Sequence, residues 1–67
     1  MNKLQEKVTE LRDEIERMID ARENQADEAD AIGNHLISEE LDDDVLLLEH
    51  CLEKLDDVYE MLKNVLP

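Results

Sequence analysis

Nine carboxylates, and no lysine or arginine, stand between Glu23 and Asp44 of this 67-residue chain. They are Glu23, Asp27, Glu28, Asp30, Glu39, Glu40, Asp42, Asp43 and Asp44. Two kinds of chemistry use such a run. Exposed carboxylates dock on a cationic surface, because opposite fields steer two molecules together and fix their orientation. Carboxylates one helical turn apart, as in Glu39-x-x-Asp42 and Glu40-x-x-Asp43, offer the oxygen donors that Mg²⁺ and other hard cations take. Asp13 and Glu16 make a second such pair. Other reactive residue types are sparse. His35 and His50 share no ligand spacing with each other or with Cys51, and His50 falls on the outer side of its helix, where a solvated ring is expected. There is no glycine-rich phosphate loop, serine elbow or Cys-x-x-Cys. No catalytic residue, metal ligand or cofactor is therefore assigned, and a non-enzyme is the expectation.

Two short resemblances point the other way. The stretch from Glu39 to Leu48, EELDDDVLLL, resembles the EELxDVL-type helix of the small all-α nucleotide pyrophosphatases. That resemblance implies Mg²⁺-dependent phosphate chemistry, with a Glu-x-x-Glu helix facing a Glu-x-x-Asp helix. Here the first helix offers Asp13-x-x-Glu16 where the family has Glu-x-x-Glu. Val8-Thr9-Glu10-Leu11-Arg12 and Ser38-Glu39-Glu40-Leu41-Asp42 resemble, more weakly, two motifs of the small helical-hairpin sporulation phosphatases that act on response regulators. In that pattern Gln stands where this chain has Glu39, and an apolar pair follows Asp42.

Charge excludes several partner classes. Seven basic side chains against twenty acidic ones give a net charge of −13. Phosphate contacts need cations, so direct binding to nucleic acid is not expected, and an anionic membrane repels the chain. One aromatic residue, Tyr59, makes no stacking platform for bases. The first residues carry no apolar leader, and no run approaches the ~20 apolar residues of a membrane span, so a cytoplasmic protein is expected. Cys51 is the only cysteine. Its place beside an apolar stripe suggests a small buried residue rather than a reactive thiol.

The elements that must position the carboxylates are two helices. Val45, Leu48, Leu52, Leu55, Tyr59, Leu62 and Leu66 recur at alternating steps of three and four, which sets them on one side of a helix. Cys51, Val58 and Val65 widen that stripe on one flank. Upstream, Leu4, Val8, Leu11, Ile15 and Met18 repeat the spacing, and the register runs on through Arg22, Gln25, Ala29 and Ile32. Asn2 is a candidate N-cap, Gly33 a stop signal, and Ser38 a second N-cap followed by the acids a helix N-terminus favours. The expectation is all-α: a single antiparallel hairpin over residues 1–67, with helix 1 about 3–32, a loop 33–38 whose Leu36 and Ile37 plug the end of the bundle, and helix 2 about 39–65. Folding about residues 35–36 sets Leu11 near Tyr59, Ile15 near Leu55 and Val8 near Leu62, with the alanines 21, 26 and 29 against Val45–Leu48. A three-helix chain broken near Asn24–Gln25 is the rival division.

A helix 2 stripe this broad covers more than one neighbour. Dimerisation into a four-helix bundle follows, with Leu4, Val8, Leu11, Ile15, Met18, Val45, Leu48, Leu52, Leu55, Tyr59 and Leu62 as the core and oligomer interface. In a hairpin the nine carboxylates gather at the loop end. The functional expectation is a small regulator or inhibitor that docks this end on a basic protein surface, as the nucleic-acid mimics of anti-restriction and anti-CRISPR type do. An assembly hairpin without charge-mediated docking is the alternative.

Overall fold

A computed structural model of the chain describes residues 2–65. Two helices, α1 (Lys3–Ala31) and α2 (His35–Leu62), pack side by side as an antiparallel hairpin. Among the described residues there is no strand. Leu66, the last position of the expected stripe, lies outside them.

Each end of the hairpin is built from backbone groups that a helix terminus leaves unpaired. At the open end, Asn2 Oδ1 accepts from the Gln5 amide at 2.9 Å while Gln5 Oε1 accepts from the Asn2 amide at 3.2 Å, a reciprocal capping box. The same two side chains reach across to α2. Asn2 Nδ2 donates to the Leu62 carbonyl at 3.0 Å and Gln5 Nε2 to the Tyr59 carbonyl at 3.5 Å. The start of α1 thus satisfies carbonyls at the end of α2. Asn2→Ala removes the cap and the cross-helix bond together. It should cost about 1–2 kcal/mol and lower the melting midpoint by roughly 5–10 °C. Thermal melts followed by circular dichroism check this against Asn24→Ala on the exposed side of α1, which should change stability by less than about 0.5 kcal/mol.

The closed end is shorter than the sequence suggests. The Asn34 amide donates to the Ala29 carbonyl at 2.8 Å and the Gly33 amide to the Asp30 carbonyl at 3.0 Å. These are the paired bonds of a Schellman stop, and Gly33 supplies its left-handed residue with φ 81°. Asn34 then caps α2 directly, its side chain accepting from the Ile37 amide at 3.3 Å. The turn is therefore residues 32–34. The expected loop 33–38 and the N-cap at Ser38 are corrected: α2 begins at His35, and Leu36 and Ile37 are helical and exposed rather than loop plugs. At its other end α2 stops at Leu62, short of residue 65. α1 runs unbroken through Asn24 and Gln25, so the three-helix division does not hold.

A tighter turn slides the register. Tyr59 lies at the level of Gln5 rather than Leu11, Arg12 Nε stands 2.9 Å from Asp56 Oδ1, and Arg22 Nε stands 3.8 Å from Asp44 Oδ2. Arg12 Nε is buried and its N–H is not aligned on the carboxylate, so that contact is a close ion pair without a hydrogen bond.

α1 also turns about its own axis. The side that meets α2 reads Gln5, Val8, Arg12, Ile15, Ile19, Arg22, Ala26 and Ala29, all buried or half-buried. The expected stripe shares only Val8, Ile15, Arg22 and Ala29 with it. Leu4, Leu11 and Met18 are displaced to one flank, a rotation of roughly 50°, half of one residue's step around the helix. The anchors Gln5 and Arg12, each bound to a group on α2, hold that rotation.

The buried apolar residues are few: Ile19, Ala26, Ala29 and Val45, with Gln5 and Ser38 beside them. Small residues dominate the loop-end half, where they let the helices approach closely. Ala26 and Ala29 lie in this seam as expected, while Ala21 is exposed. The molecule measures 52 × 14 × 9 Å. Its radius of gyration is 15.5 Å, against about 11 Å for a compact domain of this length. A rod of this shape has no central core.

Candidate functional site

The Schellman turn places α1 residues 23–30 beside α2 residues 39–44, so the nine carboxylates converge on one end of the rod. All nine are exposed. They do not form one flat face. Asp42, Asp43 and Asp44 are successive helical residues and leave the α2 axis about 100° apart. The result is a collar around the tip. Among the described residues the collar makes one ion pair, Asp44 with Arg22 at 3.8 Å, and one side-chain hydrogen bond, Asp30 Oδ1 with His35 Nδ1 across the turn at 2.9 Å. Inside the collar the tip itself is apolar: Ile32 is 80%, Leu36 69% and Ile37 46% exposed. The sequence pattern points instead to Leu36 and Ile37 as loop residues plugging the end of the bundle, and the bare apolar tip follows from their being helical and exposed.

Among the described residues, no three carboxylate, imidazole or thiol groups come together around a position for an ion. Asp13 and Glu16 lie about 20 Å along the rod from Glu40, at 1.5 Å per residue. The two carboxylate sets that the pyrophosphatase resemblance would pair are therefore not brought together. Of the other resemblance's residues, Arg12 is engaged by Asp56 and Ser38 is buried between the helices. His50 is exposed and stands 3.7 Å from Glu53 on its own helix.

The second surface is the flank to which α1's rotation moved Leu4, Leu11 and Met18. On α2 the matching flank carries Leu47, Cys51, Val58 and Met61, all exposed. Cys51 was expected to be buried. It is not, because the hairpin covers the seam one residue further round, at Leu48, Leu52, Leu55, Tyr59 and Leu62. A hollow of about 330 Å³ opens between Leu11, Ile15, Cys51, Leu55 and Val58. A second, of about 280 Å³, opens between Met18, Leu47 and Leu48 and is bordered by the Arg22–Asp44 pair. Val45 is buried, and Val8, Ile15, Leu48, Leu52, Leu55, Tyr59 and Leu62 are half-buried.

No helix among the described residues is long and apolar enough to cross a membrane. No protein-family model, curated protein or solved structure matches the chain.

Proposed function

We propose that the chain is a non-enzymatic interaction module: an acidic helical hairpin that self-associates into a four-helix bundle and docks its loop end on a basic protein surface. The observation that carries this reading is the segregation of charge. Every lysine and arginine lies in residues 3–22 or 54–63, while the tip holds nine exposed acids around three bare apolar side chains. An apolar centre with a charged rim is the common anatomy of a protein interface. The concrete form is a regulator whose carboxylates occupy a surface built for nucleic acid phosphates. An assembly hairpin without charge-mediated docking is the second reading, and the exposed apolar flank favours it.

Surface plasmon resonance of the chain with a partner captured by the immobilised hairpin tests the docking. The association rate should fall about tenfold or more between 50 and 300 mM salt, because exposed charges are screened within about 8–10 Å. Replacing Asp42, Asp43 and Asp44 by Asn should slow association severalfold with the fold intact. The same neutralisation of Glu53, Asp57 and Glu60, away from the tip, should matter much less. Equal losses would mean diffuse charge, and no loss from either set would sink the docking reading.

A further inference from the structure

We infer that the apolar flank is the self-association surface and that the second copy lies antiparallel on it, the twofold axis passing near Leu11 and Val58. This rests on the proposal that the chain self-associates, and adds the face and the direction. The first argument is area. The chain exposes 5171 Å², whereas a compact monomer of 7.8 kDa exposes roughly 4400 Å². The difference is close to the ~800 Å² that one partner contributes to a standard interface. The second is where the apolar surface lies. It runs from Leu4 to Met18 on α1 and from Leu47 to Met61 on α2, and turns polar toward the tip at Arg22, Gln25, Asp44 and Glu40. Its midpoint is the hollow beside Leu11 and Val58.

Charge sets the direction. A parallel pair would lay two nine-acid collars side by side. An antiparallel pair centred on Leu11 and Val58 sends the collars to opposite ends and overlaps the halves that hold the lysines and arginines. It also leaves both tips free to bind. A partner cationic along its whole length would have no matching field on this flank, where Lys54 and Arg22 are the charged neighbours of the hollows along with Asp44.

Sedimentation equilibrium combined with pulsed electron–electron double resonance tests the inference. A spin label is attached at Ala31→Cys, exposed at the end of α1, in a Cys51→Ser background. Twenty residues separate Ala31 from the axis at Leu11, so the expected label-to-label distance is about 60 Å at 1.5 Å per residue. A dimer with a distance under about 25 Å would be parallel and would overturn the inference while leaving self-association standing. Leu11→Glu should raise the dimer dissociation constant about thirtyfold or more, as loss of a central interface residue does. Leu46→Glu, exposed and turned away from the flank, should leave it within about threefold, the scale of a surface change. The reverse order would place the interface on another face. A wild-type chain that is purely monomeric at micromolar concentration, with its helix signal intact, would assign the flank to a different protein. That result would overturn the inference and self-association together.

Discussion

Val45→Asp should leave the chain without a cooperative fold at 25 °C, the largest effect of any single substitution considered for this hairpin. Val45 is 7% exposed, at the level fixed by the Arg22–Asp44 ion pair and in the half of the seam lined by alanines and Ser38. A carboxylate there loses water and gains no cation, since Arg22 already faces Asp44 and that end of the molecule is acidic throughout. An uncompensated buried charge costs about 3–5 kcal/mol. The apolar seam of a chain this small supplies at most about 3–5 kcal/mol in total. The substitution therefore removes all or nearly all of the stability. Leu46→Asp, one residue on and 64% exposed, should shift stability by no more than about 0.5 kcal/mol. Circular dichroism at 222 nm reads both. A Val45→Asp chain that melts cooperatively within a few degrees of wild type would mean that Val45 does not face α1.

That pair of neighbours shows what could be read from the residues alone. The α2 stripe was legible because its apolar positions keep one spacing from Val45 to Leu62, and only one face of a helix satisfies that spacing. The stop at Gly33 was legible because a left-handed residue is needed there and few side chains tolerate it. The start of α2 was not. Ser38 followed by acids is a good N-cap pattern, but the Schellman stop delivers Asn34 to that role first, and Ser38 then falls three residues before Leu41 in the seam. The rotation of α1 was hidden for a different reason. A stripe of Leu4, Leu11 and Met18 looks like the inward side unless Gln5 and Arg12 are known to reach across to Tyr59 and Asp56. Polar side chains with long stems can hold an inward position that a pattern of apolar residues does not reveal. The misplacement of Cys51 has a related cause: a stripe wide enough for two neighbours does not show which part the first neighbour covers. Of the candidate site, the charge segregation was on the surface of the sequence, while the bare apolar tip depended on the turn.

Ala26→Leu should be the second most damaging change, with a loss of about 1–3 kcal/mol from overpacking and a fall in melting midpoint of roughly 10 °C. Ala26 is 4% exposed, the most buried apolar residue among those described in the seam, and Ala29 is 7% exposed one turn further on. Side chains this small are buried only where the backbones come close. Three further carbons there must push α1 and α2 apart, because Ser38 and Val45 on the facing side are themselves buried. Ala21→Leu is the matched control, since Ala21 is exposed and the two residues have nearly equal helix propensity. It should change the midpoint by no more than about 2 °C, within the range of surface changes. Near-identical melts for the two variants would show that the helices are not in close approach at the loop end. The same separation has a consequence for docking. The collar carboxylates stand on both helices, Glu23 to Asp30 on one and Glu39 to Asp44 on the other, and close approach of the backbones sets the spacing between the two rows. Forcing the rows apart dilutes the field that steers a basic partner. Ala26→Leu should therefore also slow association at temperatures where it remains folded, although it removes no charge.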